Sequence, residues 1–370
     1  MVINMPTDNG KTKPKWITTG LTIRGNKKQA TKMLNEKLTE LNKYNLPYHK
    51  ITVSDYFKDW LNKIKTEVRP NTYRSYYGNM VNHIIPYFEK KNILLQNLKP
   101  YHLEDYYKSK LQPNSKINSS EALSATTIKH HHQNISKALN DALRRGIIAI
   151  NPATSAKTPK TEKFRGEYLS PEQIEEMLIL FKDNPIELAV TLCAIYGLRR
   201  SEVLGLKWNN INFDKKEFTI AETLQQNQGG NYTDKPKTES SYRTLPMTDS
   251  VYHILKAHKK QQNKRKEIMG NYYIDSDYIC TWNNGNVISP NYLTKTFHTV
   301  ISKSTLPKIR LHDLRHSVAS NLIAKGMSVV DVQEWLGHAN ASTTLDVYSH
   351  AYKSSKNNIA NAIEQMIAIN

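Results

Sequence analysis

The chain has 370 residues and a formal net charge of +19, from 52 Lys and Arg against 33 Asp and Glu; that length exceeds one typical hydrophobic core and suits two or three domains. Its two cysteines, Cys193 and Cys280, exclude a disulfide framework and lie in no metal-ligand spacing. Residues 1–20 lack the apolar core of a signal peptide, and no apolar run approaches the roughly 18 residues that span a bilayer, so the sequence reads as a cytoplasmic protein with no membrane partner.

The charge is unevenly spread. Residues 1–50 carry +7, residues 51–160 carry +9, and residues 161–370 only +3. A basic front half joined to a nearly neutral back half points to a front half that grips a polyanion. In chain order, residues 1–25 are polar and β-branched, with a turn signal at Asp8-Asn9-Gly10 and a strand-like stretch from Trp16 to Ile23. A helix is predicted from about Lys27, because Ala30, Met33, Leu34, Leu38 and Leu41 recur on one face.

A second unit begins at Thr52, which with Asp55 resembles a capping box. Val53, Tyr56, Phe57, Trp60, Leu61 and Ile64 then form a strong helical stripe. A second helix starts near Pro70 and carries Tyr73, Tyr76, Tyr77 and Met80, a tyrosine stripe read as core. A third is capped by Ser124, runs through Ile128, Ile135, Leu139 and Leu143, and stops at Gly146. The triplet His130-His131-His132 has no partner spacing that would make it a metal site. Residues 152–166, rich in Pro, Thr, Ser and Lys, read as an interdomain linker.

Ser170-Pro171-Glu172-Gln173 combines an N-cap, a proline at N1 and a glutamine at N3, which is a nearly ideal helix start. Helices follow at about 186–196, 201–207, 249–267, 290–303, 312–325, 329–336 and 341–349. Strand signals lie between Trp208 and Pro246, with a turn at Asp214-Lys215-Lys216 and a loop at Gly229-Gly230. The back half is therefore expected to be mainly α with a small antiparallel β-sheet.

Three segments carry charged residues that suit neither a core nor an idle surface. In Gly197-Leu198-Arg199-Arg200-Ser201-Glu202, an arginine sits at a helix start, where the macrodipole disfavours cations. In Leu311-His312-Asp313-Leu314-Arg315-His316, His312 and Arg315 share a helix face and can converge on one ligand. The third runs from Leu336-Gly337-His338 to Tyr348-Ser349-His350 and sets a histidine and a tyrosine on successive short helices. Two arginines, one or two histidines and a tyrosine, without an acidic metal cage, suit phosphoryl transfer to a phenol. The arginine fork binds non-bridging phosphate oxygens, a histidine donates or accepts a proton, and the phenolate forms a covalent intermediate. No cofactor is called for.

Together these segments resemble the signature boxes of the tyrosine recombinase (phage integrase) family: Gly-Leu-Arg-x-Ser-Glu, His-x-x-Arg, Leu-Gly-His and the terminal tyrosine. The resemblance is strong over residues 166–360 and architectural over 50–150. It implies DNA cleavage through a 3′-phosphotyrosine, with strand exchange through a Holliday junction and no need for metal or ATP. Arg199, His312, Arg315 and His338 would form the phosphate pocket, with Tyr348 as nucleophile and Tyr352 and Tyr242 as its rivals. The family's lysine on a β-hairpin resembles Lys237 in Thr233-Asp234-Lys235-Pro236-Lys237-Thr238, with Lys235 the alternative; it would protonate the departing 5′-oxygen. Glu202 would support Arg199, and Arg200 would face solvent or DNA.

The resemblance also implies domain roles. Residues 1–46 resemble an arm-type DNA-binding module, with room for barely its full set of strands. Residues 50–150 resemble the helical, SAM-like core-binding domain, 151–166 the linker, and 167–370 the catalytic domain. Ile359, Ala362, Ile363, Met366 and Ile367 form a stripe for docking into a neighbouring subunit. The implied partners are double-stranded DNA, three further copies in a tetramer, an excision factor and a host DNA-bending protein, in a bacterial cytoplasm. Two rivals stay open: a silent DNA-binding protein that kept the fold, and a type IB topoisomerase, which shares the chemistry but needs neither arm module nor docking tail.

Overall fold

The computed structural model describes residues 2–6, 12–21, 25–26, 29–34, 36, 51–111, 122–161, 167–227, 229–234 and 241–337. The chain divides into two compact units, residues 1–163 and 164–370. Among the described residues no helix is long and apolar enough to cross a membrane.

The first unit opens with an antiparallel hairpin, β1 (Val2–Pro6) against β2 (Thr12–Trp16), with Val2 opposite Trp16. The strand expected from Trp16 to Ile23 instead ends at Trp16, and residues 17–21 are irregular. The turn signal at Asp8-Asn9-Gly10 carried the better information, because it lies between the two strands. Residues 29–34 are helical, as the apolar recurrence predicts.

The body of this unit is helical: α1 (Val53–Ile64), α2 (Pro70–Asn79), α3 (Ile85–Lys91), α4 (Pro100–Leu111) and α5 (Ala125–Arg144). All six residues of the α1 stripe are buried, and the Thr52 hydroxyl accepts from the Asp55 N–H at 3.2 Å to start the helix. The predicted tyrosine core is only partly one. Met80 is buried, but Tyr73 and Tyr76 are half-buried and Tyr77 is 49% exposed. The phenol of Tyr76 explains this placement: its ring packs 5.6 Å from Trp60 while its hydroxyl accepts from Lys137 at 2.9 Å. One end is apolar and the other polar. Leu143 is likewise at the surface, and Ala138 and Ala142 take the inward positions of α5.

Helices α3 and α4 have no counterpart in the sequence reading. Between α2 and α3 the chain makes a π-helical turn, Met80–Ile84, in which the Ile85 N–H donates to the Met80 carbonyl. Pro86 is the physical reason. Its ring cannot donate to the Asn82 carbonyl and would clash with it, and a widened turn relieves that conflict without ending the helix. The three histidines diverge to separate partners: His131 meets the Tyr106 hydroxyl at 2.8 Å, His132 the Tyr107 hydroxyl at 2.8 Å, and His130 Gln133 at 3.3 Å. Part of the stretch rich in Pro, Ser and Thr is packed onto this unit. The Asn151 amide donates to the Ser136 carbonyl and to Asn140, and Ala153 is buried in the core.

The second unit is mainly helical with a small antiparallel sheet. It contains α6 (Pro171–Leu180), α7 (Glu187–Tyr196), α8 (Arg200–Leu204), β3 (Ile211–Asn212), β4 (Glu217–Ile220), β5 (Thr223–Asn227), β6 (Gly230–Asp234) and β7 (Arg243–Pro246). There follow α9 (Asp249–Met269), α10 (Pro290–Lys303), α11 (Asp313–Ala324) and α12 (Val329–Leu336). The capping box of Ser170 and Gln173 forms in full. Strand β4 lies between β3 and β7, with Phe218 opposite Leu245 and both buried, while β5 and β6 make a separate hairpin that turns at Asn227 and Gly230. The apolar helix α7 runs through the core and ends at Gly197 in the left-handed region, φ +65°. That left-handed cap sets up the site.

Candidate active site

Gly197 is required twice over. Its φ of +65° is costly for any residue with a Cβ, and a Cβ there would lie 2.5 Å from Leu336 Cδ2 of α12. The glycine therefore lets the end of α12 close onto the turn between α7 and α8. From that turn Arg199 enters as the N-cap of α8, in extended conformation, and its backbone N–H donates to the Glu202 carboxylate at 3.0 Å. Its side chain donates to Glu202 Oε1 at 2.5 Å and to the Gly337 carbonyl at 2.9 Å, and it keeps 31% of its surface exposed.

Arg315 comes from α11 and is buried, with 1% exposure. It donates from Nη1 to the Gly197 carbonyl at 2.8 Å and from Nη2 to the Leu336 carbonyl. Both acceptors belong to helix C-termini, where unpaired carbonyls and the macrodipole favour a cation. Burial, and next the nearby Arg199 cation, pull its pKa down to about 9, with Glu202 opposing them. It remains a cation at neutral pH. The surplus charge in so dry a place is what an anionic ligand would relieve.

His312 stands at the N-cap of α11, three residues before Arg315. His312 is exposed at the surface, and its ring meets His316 edge-on at 5.2 Å. Partial desolvation, then His316 and Arg315, push its pKa down to about 4, so it is neutral at physiological pH. Asp313 is paired with Arg310 at 2.8 Å and held below the usual carboxylate range by that guanidinium despite its burial. Arg200 donates to Thr294 at 3.0 Å on α10.

The sequence profile of the Phage integrase family matches residues 167–355, and the SAM-like N-terminal domain of phage integrases matches residues 52–111. The chain belongs to the phage integrase family. It is thus a tyrosine recombinase by descent and a DNA strand-transferase by class. A XerC-like tyrosine recombinase of Caldanaerobacter subterraneus subsp. tengcongensis is 29% identical over 361 residues, which cover 92% of this chain and 90% of the relative. The ICEBs1 integrase of Bacillus subtilis is 23% identical over 310 residues, covering 83% and 81%. Among solved structures, the Tn1549 transposon integrase in complex with a circular intermediate DNA superposes with a TM-score of 0.68 at 21% identity, covering 84% of this chain and 99% of that one. The two chains share this fold.

In this integrase-family chain the structure brings three of the predicted groups together: Arg199, Arg315 and His312. Glu202 stands behind Arg199, as the resemblance implied. Lys237, its alternative Lys235, His338, Tyr348 and Tyr352 lie outside the described residues, as do the helix at 341–349 and the tail stripe. The sequence reading missed two residues. Arg243 at the start of β7 donates to Glu202 Oε2 at 3.1 Å and, through Nε, to the Trp335 carbonyl at 2.9 Å. Gly205 admits the β5 backbone: a Cβ there would lie 2.6 Å from the Glu222 carbonyl oxygen. Arg243 falls among the strand signals between Trp208 and Pro246, where nothing in the sequence sets it apart from its neighbours. Among the described residues no cluster of His, Cys, Asp and Glu could hold a metal ion.

Proposed function

We propose that the protein is a site-specific recombinase that integrates and excises a mobile element by cutting and rejoining duplex DNA. The observation that carries the reading is the pair of guanidiniums, Arg199 and Arg315, fixed on the consecutive carbonyls of Gly337 and Leu336 at the end of α12. Two rigid forks so placed suit the non-bridging oxygens of one phosphodiester. His312, neutral at physiological pH, would hydrogen-bond a phosphate oxygen from the same side. The next residue after Gly337 is His338, the fourth member of the pocket.

Tyr348 is the nucleophile in this reading. Its phenol passes its proton to a histidine of the pocket as the oxygen attacks phosphorus, the P–O bond to the 5′-oxygen breaks, and that oxygen takes a proton from Lys237. The 3′-phosphotyrosine keeps the bond energy for the reverse attack by another strand's 5′-hydroxyl. Exchange of one pair of strands makes a Holliday junction, and exchange of the second resolves it.

We assign residues 50–150 as the core-binding domain, 167–370 as the catalytic domain with a docking tail, and 1–46 as an arm-type module. The basic charge of residues 51–160 supports the first assignment. The working assembly is four copies on two duplexes in a bacterial cytoplasm, with an excision factor and a host DNA-bending protein setting direction. Mobile-element relatives such as the ICEBs1 integrase support the integrative role.

The test uses two duplexes carrying the flanking DNA of its own gene, in excess EDTA without nucleotide. Recombinant duplexes and a four-way junction are the expected products. Relaxation of any plasmid without strand exchange would contradict the reading in favour of a topoisomerase.

A further inference from the structure

The last turn of α12 presents three consecutive carbonyls, and each accepts from a different arginine: Trp335 from Arg243, Leu336 from Arg315 and Gly337 from Arg199. Two of these arginines are the phosphate ligands proposed above. Arg243 differs from them in its partners: Nη1 and Nη2 both donate to the Glu202 carboxylate and Nε to the Trp335 carbonyl, so its fork is turned onto an anion of the protein itself. We infer that Arg243 is a positioning residue that binds the charge of Glu202, so that the Arg199 cation remains available to the DNA phosphate. The inference rests on Arg199 being a phosphate ligand.

The charges make the case. Glu202 is buried, with 1% exposure, and both its oxygens accept from both arginines: Oε1 from Arg199 at 2.5 Å and Arg243 at 3.4 Å, Oε2 from the Arg199 backbone at 3.0 Å and Arg243 at 3.1 Å. Burial disfavours the carboxylate, but Arg243 and then Arg199 outweigh it and hold its pKa below the ordinary range. With one arginine, the pair would be neutral, and Arg199 would spend its charge on the carboxylate 2.5 Å away. With two, the trio keeps a net positive charge. The contact from Arg243 to Trp335 also ties β7 to the helix end on which Arg199 and Arg315 rest, so the trio and the phosphate ligands share one frame.

The experiment is a charge-balance cycle in the full-length protein, read by single-turnover cleavage of an attachment-site duplex, with duplex affinity and thermal midpoint measured alongside. Arg243→Met should slow cleavage roughly 10- to 100-fold, within what a displaced positioning group costs, with duplex affinity unchanged. Adding Glu202→Gln should restore a large part of that loss, because no carboxylate is left to neutralise Arg199. An Arg243 that touched the phosphate itself would not be rescued by removing its partner, and one that only braced the fold would show cleavage falling and recovering only in step with the thermal midpoint. A double variant no faster than Arg243→Met, or Arg243→Met cleaving at the wild-type rate, overturns the inference.

If Arg243→Met does not fold, the double variant still decides, since it buries no unpaired carboxylate. It should cleave within about fivefold of Glu202→Gln alone, and a larger drop overturns the inference. Arg199→Ala is run in parallel. If it cleaves normally, the phosphate-pocket reading itself is wrong, whatever Arg243 does.

Discussion

At the scale of single residues, the site is a competition for guanidinium charge. Arg315 is buried among carbonyls and Arg199 reaches solvent, yet each is held on the same helix end. Their forks are set before DNA arrives, which is what makes electrostatic stabilisation effective. Arg199→Ala and Arg315→Ala should each lower single-turnover cleavage by about 10²–10³-fold, the usual effect of losing one such donor. Lysine should restore little at position 315, since an ammonium cannot reach the Gly197 and Leu336 carbonyls and the phosphate together. Cleavage within a few-fold of wild type by either alanine variant would count against the pocket. Much of this was legible in sequence: Arg199, His312 and Arg315 stand in motifs whose spacing already puts them on helix starts. Arg243 was not, because its partner Glu202 is 41 residues away and the pairing depends on how β7 lies against α8.

At the scale of elements, glycine and histidine positions set how the helices meet. Gly197→Ala places a Cβ in the left-handed region and against Leu336, so it should destabilise the protein by about 2–4 kcal/mol. It should also slow cleavage more than it weakens duplex binding, because the Gly197 carbonyl holds Arg315. A variant with unchanged melting temperature and cleavage would refute this account of the turn.

His131 governs a different element. It is fully buried on α5 between Tyr106 and His83, and burial, then His83, Lys110 and His130, push its pKa down to about 4. The unfolded chain, with an ordinary value near 6.5, therefore takes up the proton first as pH falls. Stability is retained above about pH 6.5 and lost towards pH 4, by on the order of 3 kcal/mol from this group. His131→Phe should flatten the fall of melting temperature over that range, and an unchanged slope would contradict the assignment. The sequence showed α1 and α5 through their stripes, but α3 escaped because Pro86 reads as a helix breaker. Only the π turn before it lets the helix resume.

At the scale of the whole molecule, charge, fold and family agree. The basic front half contains a SAM-like domain, and the nearly neutral back half holds the arginine pocket. Composition alone exposed that division, whereas the small β1–β2 hairpin was misplaced because its pairing depends on a turn more than on strand propensity. Recombination by this chemistry requires a covalent protein–DNA bond formed by one tyrosine. The direct measurement incubates the protein with a nicked attachment-site duplex that traps the cleaved strand, then maps the DNA-linked peptide by mass spectrometry. The phosphate should sit on Tyr348, linked to a DNA 3′-end, and Tyr348→Phe should bind the duplex normally and form no adduct. A linkage to Tyr352 or Tyr242, or an adduct that persists in Tyr348→Phe, would contradict the account.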